Sequence, residues 1–337
     1  MLTERQELLL KLIVDEYVKS AEPVGSKSLS NAMGVSSATI RNEMSDLEEL
    51  GFLEKTHTSS GRIPSEKGYR YYIETIVKNL DEETGNYFEF EKLFENREIE
   101  RDQVIKEAID LLSQATNCTA ISLGPNAFHS KVKKVQLIPL RETQALILVI
   151  TNFGHVESKQ ISISEDMEMT ELVKVIDLLN EMLVGTPISK VSEKLHYEIQ
   201  HSHIKELLKY RETIVDSFIE AFQKFAQTKY YLTGQSNMLY QPEFNDIRKL
   251  REFMATIDNN EIFKIVETDA EGVTVKIGTE NKVISMHDCT VVSSTYDTGE
   301  GELGTISVVG PTRMDYRRVI PLIKFIAKHI AKLYEED

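Results

Sequence analysis

Ser36-Ser37-Ala38-Thr39-Ile40-Arg41-Asn42-Glu43-Met44-Ser45-Asp46-Leu47-Glu48-Glu49-Leu50-Gly51 decides the fold of the N-terminal part of this chain. Ile40, Met44, Leu47 and Leu50 recur at the spacing that lines one side of an α-helix. Ser36 or Ser37 supplies a capping hydroxyl, and Gly51 stops the helix. With the aliphatic side inward, the opposite side carries Ser37, Ala38, Arg41, Asn42 and Ser45.

Upstream, Gly34 suits the left-handed position that ends a helix. Residues 26–33 form that helix, with Leu29 and Met33 turned inward. Glu22-Pro23-Val24-Gly25 separates it from a first helix opened by a capping box, Thr3-x-x-Gln6. The first helix places Leu9, Leu12, Ile13, Tyr17 and Val18 on one stripe. Helix, glycine turn, helix is the spacing of a helix-turn-helix. Downstream, Phe52-Leu53-Glu54-Lys55-Thr56 reads as a strand. His57, Thr58, Ser59, Ser60, Gly61 and Arg62 read as a hairpin tip, and Ile63-Pro64 as the start of the return. That hairpin is a wing. Ser65 then caps a helix holding Tyr69, Tyr72, Ile73 and Ile76.

The outward side of the third helix has the chemistry of a major-groove reader. Arginine bonds guanine bidentately, asparagine does the same with adenine, and alanine packs on a thymine methyl. Ser36 and Ser37 at the helix start suit phosphates, as do backbone N–H groups there, and Thr39 can touch either a base or a phosphate. Arg62 can enter a minor groove or pair with a phosphate. The alternative is an exposed, solvated helix face; the glycine turn and the wing on either side favour DNA.

The rest of the chain reads as α+β. The acidic stretch 81–101 reads as an irregular connector, followed by a helix over 103–116 and a strand over 119–123. A meander of strands follows at 132–140, 145–151 and 155–163. Helical patterns span 171–184, 204–230 and 247–257. Strands near 273–278, 289–296 and 304–309 precede a closing amphipathic helix over 321–334. No repeated βαβ pattern appears, which argues against a parallel doubly wound sheet. The helix over 204–230 carries more apolar surface than one face needs, so it packs either within its own domain or on a neighbouring subunit.

The 337 residues allow two or three domains. No apolar run approaches the roughly 20 residues of a membrane span, and the N-terminus lacks the basic start and apolar core of a signal peptide. A cytoplasmic protein is expected. Cys118 and Cys289 have no ligand spacing and read as small core residues. The net charge of −15 opposes DNA at long range. Screening over about 8–10 Å leaves the local surface decisive. The five lysines and four arginines of the first 75 residues are offset by acids, seven of them glutamates in the first fifty. Positive charge must therefore be concentrated on the binding face. Steep salt dependence and reliance on dimerisation follow.

The run 36–48, then His57-Thr58-Ser59-Ser60-Gly61-Arg62-Ile63-Pro64-Ser65-Glu66-Lys67-Gly68-Tyr69-Arg70, resembles the HrcA heat-inducible transcription repressors of bacteria. Gly304-Thr305-Ile306-Ser307-Val308-Val309-Gly310-Pro311-Thr312-Arg313-Met314-Asp315-Tyr316 matches that family's C-terminal signature, and Leu239-Tyr240-Gln241-Pro242-Glu243-Phe244 agrees. The resemblance runs from end to end and is weakest over 80–230. It implies a homodimer that represses chaperone operons from an inverted-repeat operator, the CIRCE element. It implies a GAF-like core interrupted by an inserted dimerisation domain, and promotion of the active fold by the chaperonin GroEL. Residues and resemblance together divide the chain into a winged helix-turn-helix (1–78), a connector (79–102), a GAF-like antiparallel α+β core (103–126 and 231–337) and the insertion (127–230). The DNA-contact positions carried over are Ser36, Ser37, Ala38, Thr39, Arg41, Asn42, Ser45, His57, Thr58, Ser59, Ser60, Gly61 and Arg62. No cofactor, metal or membrane partner is implied.

Other patterns carry less. Gly299-x-Gly301-x-x-Gly304 has dinucleotide spacing but joins two antiparallel strands, so a hairpin loop is the better reading. Arg313 and Asp315 suit an internal ion pair, a helix cap or a contact between domains. His196, His201 and His203 lack companion ligands. His287-Asp288-Cys289 has no nucleophile elbow beside it, and no enzymatic constellation stands behind the chain. The second functional reading is an effector-sensing winged-helix regulator whose GAF-like core binds a small molecule.

Overall fold

A computed structural model of the chain describes residues 2–55, 61–77, 87–96, 99–124, 131–141, 144–152, 156–162, 169–187, 190–191, 194–195, 197–198, 230–258, 265–266, 272–298 and 303–335. The first helix, α1 (Glu4–Ser20), opens with the expected capping box. Gln6 N–H donates to Thr3 Oγ1, and Thr3 N–H donates to Gln6 Oε1. Leu9, Leu10, Ile13 and Val14 form its buried stripe. Leu12, Tyr17 and Val18 are only half-buried and pack against the core from its edge. Helices α2 (Ser26–Met33) and α3 (Ser37–Glu49) follow, joined through Gly34 at φ +63°. A side chain at that backbone conformation is strained, which makes glycine the residue for the turn. Leu29 is buried, while Met33 is half-buried.

The wing is an antiparallel hairpin of β1 (Leu53–Lys55) and β2 (Arg62–Pro64), in register Leu53↔Pro64 and Lys55↔Arg62. Val24 adds a bridge to Arg62 on the other side. Helix α4 (Glu66–Tyr72) is capped by Ser65, whose hydroxyl accepts from Gly68 N–H at 3.0 Å. It continues into a π-helical turn, Ile73–Val77.

The stretch read as an irregular connector contains α5 (Phe88–Phe94), with Phe90 and Leu93 buried. The apolar spacing within 88–94 was masked by the surrounding glutamates. Helix α6 (Arg101–Thr116) leads into β3 (Thr119–Leu123). Then come β4 (Val132–Arg141), β5 (Gln144–Thr151) and β6 (Val156–Ser162), the expected antiparallel meander. Helix α7 (Met169–Leu183) covers one face of it through Leu172, Val175, Ile176, Leu179 and Leu183. The expected helix over 204–230 lies outside the described residues, apart from its last position. Tyr230 instead begins a strand, β7 (Tyr230–Thr233).

Helix α8 (Ile247–Asp258) precedes β8 (Val273–Ile277), β9 (Cys289–Asp297) and β10 (Leu303–Pro311). The chain closes on α9 (Tyr316–Glu335), which starts before the expected position and carries Pro321 inside it. Proline there removes one helical N–H, so it reads from sequence as a start. Among the described residues, a five-stranded sheet has the order β7-β3-β10-β9-β8. Helix α9 packs on β9 and α6.

The chain divides into two compact units. One comprises residues 1–122, 231–301 and 305–337, and so holds the winged domain and most of the five-stranded sheet. The other comprises residues 123–230 and 302–304 and has its own hydrophobic core around Ile147, Val149, Val175 and Leu179.

Candidate nucleic-acid interface

Helix α3 is held from beneath. Ile40, Met44 and Leu47 are buried on its inner side. Leu50, expected inward as well, is 48% exposed because the helix ends at Glu49 and the chain turns away. The N-cap is Ser36, whose hydroxyl accepts from Thr39 N–H at 3.2 Å and lies 2.9 Å from Thr39 Oγ1. Ser37 is half-buried, its hydroxyl 3.0 Å from that of Ser26 on α2. These contacts brace the start of α3 against α2.

The outward side carries Ala38, Arg41, Asn42 and Ser45, all exposed. Among the described residues, neither Arg41 nor Asn42 has a side-chain hydrogen bond or an ion pair. Their polar groups face solvent, the arrangement base-edge readout requires. Asp46 and Glu49 are exposed further along the same helix. Acids there would repel a phosphate backbone, so the N-terminal half of α3 is the part of the helix suited to a groove.

Two other acids on this helix are neutralised. Glu43 meets Arg5 of α1 at 3.3 Å. Glu48 accepts from Arg62 Nε at 2.7 Å and Nη2 at 2.6 Å. The Arg62 side chain is 12% exposed, and its backbone N–H and C=O both pair with Val24 at 2.9 Å. Arg62, read from sequence as able to enter a minor groove or pair with a phosphate, ties the base of the wing to α3. Gly61 beside it sits under Pro23, where a Cβ would come within 2.8 Å of the Pro23 carbonyl oxygen. Only glycine fits that approach without displacing backbone. Lys55 on β1 is exposed. Thr56, His57, Thr58, Ser59 and Ser60, the expected wing tip, lie outside the described residues.

The structure thus brings Ser36, Ser37, Ala38, Thr39, Arg41, Asn42 and Ser45 together on or beside one helix face. It places Gly61 and Arg62 in the frame behind that face. Sequence reading missed Arg5 and Glu48. The signal was there: an acid on a helix whose first residues suit phosphates calls for a cation.

The remaining patterns are structural or outside the described residues. Cys118 and Cys289 are buried free thiols. Burial pushes the Cys118 thiol up to about 12 and raises that of Cys289 as well. Asp288, in the run His287-Asp288-Cys289, pairs with Lys249 at 2.7 Å. His196, His201, His203, Gly299 and Gly301 lie outside the described residues. Among the described residues, no helix is long and apolar enough to cross a membrane and no His, Cys, Asp and Glu cluster could hold a metal ion.

Comparison with known proteins adds relatives for both ends of the chain. Residues 1–75 match the family "Winged helix-turn-helix transcription repressor, HrcA DNA-binding". Residues 102–320 match "HrcA protein C terminal domain". A protein of Acholeplasma laidlawii (strain PG-8A), the heat-inducible transcription repressor HrcA, is 42% identical over 339 residues, spanning 100% of this chain and 99% of its own. Among solved structures, a crystal structure of a hypothetical protein covers 100% of this chain and 99% of its own, at 26% identity with a TM-score of 0.63.

Proposed function

The chain belongs to the HrcA family of heat-inducible transcription repressors, a non-enzymatic group of DNA-binding regulators, and from that premise we propose how it reads its operator. It binds double-stranded DNA as a homodimer in the cytoplasm, each winged domain taking one half of an inverted repeat, the CIRCE element, before chaperone genes. The N-terminal half of α3 enters the major groove. Arg41 and Asn42 read base edges, Ala38 and Ser45 flank them, and Ser36, Ser37 and Thr39 hold phosphate at the helix start. His57, Thr58, Ser59 and Ser60 of the wing meet the adjoining backbone or minor groove. Gly61 and Arg62 keep the wing at its angle to α3.

The observation that carries this reading is the solvent-facing, unpaired Arg41 and Asn42 on a helix whose other side is anchored by Ile40, Met44 and Leu47. Dimerisation falls to the unit built around β4, β5 and β6. The face of that meander opposite α7 exposes Ile138, Leu140 and Val156 and half-exposes Leu146, Leu148 and Ile150. Apolar surface of this kind suits a second subunit.

Release on heating follows if the active fold is marginally stable. The chaperonin GroEL then restores repression by refolding the protein, and derepression occurs when unfolded substrates occupy the chaperonin. A footprint of purified protein on DNA upstream of the host's chaperone genes tests the reading. Protection of two half-sites related by a dyad is the expected result. Protection elsewhere, or none, counts against it.

A further inference from the structure

The C-terminal run Gly310-Pro311-Thr312-Arg313-Met314-Asp315-Tyr316-Arg317 is absorbed by none of the DNA-reading chemistry, yet it makes contacts that join the winged domain to the rest of its unit. Arg313 is central. Its side chain is 13% exposed, and its guanidinium reaches acceptors on three residues. Nε donates to Glu243 Oε1 at 2.6 Å, Nη2 to Gln241 Oε1 at 3.0 Å, and Nη1 to the Val18 carbonyl at 3.2 Å. The first two lie beside the sheet. The third lies in the last turn of α1, where carbonyls lack helical partners and a positive charge is favoured.

The neighbours of Arg313 repeat the pattern. The Tyr316 ring packs on Tyr69 of α4 with centroids 5.8 Å apart. Arg317 approaches Asp15 of α1 at 3.5 Å, and Asp15 accepts from the Tyr72 hydroxyl at 2.6 Å. At a second point on the same seam, Arg70 of α4 pairs with Glu280 and donates to the Val275 carbonyl at 2.8 Å. Glu66 accepts from the N–H and hydroxyl of Thr279. Helix α4 is therefore held at two points and α1 at one, by groups outside the Ala38–Ser45 face of α3.

We propose that Arg313 is a positioning residue that fixes the attitude of the winged domain on the sheet and so lets the dimer select the spacing of its two half-sites. This rests on the dimeric operator reading above. A winged domain held in one attitude on its sheet favours, in the dimer proposed above, one half-site separation, of the order of one DNA turn or a multiple of it. Helices on loosened seats accept several separations, each with less affinity. Arg313 touches no base, so a single half-site is blind to it.

The test uses the full chain, with Arg313→Ala, Arg313→Lys and, at the more exposed second point, Arg70→Gln. Each is measured against a synthetic CIRCE-type duplex, duplexes with the spacer lengthened or shortened by one or two base pairs, and a duplex with one half-site. Unchanged protection of Cys118 and Cys289 from alkylation certifies the fold. Wild type is expected to weaken about tenfold or more when the spacer changes. Arg313→Ala is expected to bind the natural operator about tenfold more weakly, to bind the half-site as wild type does, and to lose most of its spacing preference. Arg70→Gln moves the same way to a smaller extent, and Arg313→Lys falls between. A folded Arg313→Ala protein that keeps the wild-type spacing profile overturns the proposal, as does a wild type with no spacing preference. Failure of the wild type to bind any of these duplexes overturns the operator reading itself.

Discussion

Arg62 at the base of the wing and Glu48 on α3 are joined by two hydrogen bonds to one carboxylate oxygen, at 2.7 Å from Nε and 2.6 Å from Nη2. The two elements that would approach DNA, helix and wing, are thereby locked to each other. The same pairing offsets a negative charge on α3. Glu48 is 33% exposed and Arg62 12%. Removing the acid therefore leaves a largely desolvated guanidinium without its main partner. Glu48→Ala is predicted to cost about 1–2 kcal/mol of stability, the range for a hydrogen bond to a charged group discounted for partial exposure. Urea unfolding checks it; a midpoint equal to wild type contradicts it.

Tyr69 presents a different situation. Its hydroxyl is buried with no hydrogen-bond partner among the described residues, and burial raises its ionisation well above that of free tyrosine. The ring packs against Tyr316. Tyr69→Phe keeps the ring and removes the polar atom. Stability is predicted to stay level or rise by up to about 1 kcal/mol, because an unpaired buried hydroxyl is unfavourable. Thermal unfolding of the two proteins decides it, and a fall of more than that amount would show that the hydroxyl is bonded.

Cys118 and Cys289 report on the sheet. Both are buried, and desolvation holds the Cys118 thiol up to about 12. A thiol is neutral when protonated. A raised folded value thus favours the native state below the ordinary thiol range, and that contribution is lost as pH rises toward about 12. At neutral pH both thiols are predicted to resist iodoacetamide in the native protein. On warming they become reactive over the temperature range in which operator binding is lost. Reaction at full speed in the cold contradicts the burial. Binding lost well before the thiols open would place the heat-sensitive step outside the sheet.

Much of the winged domain was legible because its signals are local. The Thr3/Gln6 capping box, the Gly34 turn, the Ser36 cap and the Ile40/Met44/Leu47 stripe depend on residues within a few positions of one another. The antiparallel meander was legible for the same reason, since residues 145–151 alternate or run apolar between turn signals. What escaped depends on distant partners. Arg62 looks like a free cation until Glu48, fourteen residues earlier, is brought beside it. Arg313 was read as structural, but that Val18, Gln241 and Glu243 converge on it follows only from the fold. Helix α5 was hidden by its glutamates, and β7 by the apolar pattern before it. Leu50 left the core because the helix stopped one residue short of it.

The central claim is that Arg41, on the open side of α3, reads a base. The most direct measurement is equilibrium binding of wild type and Arg41→Ala to the operator and to duplexes carrying each single base-pair change in one half-site. The account predicts that Arg41→Ala binds the native operator more weakly by about 1–3 kcal/mol and no longer distinguishes bases at one position, with preferences elsewhere retained. Equal affinity and an unchanged base preference in a folded variant would contradict it.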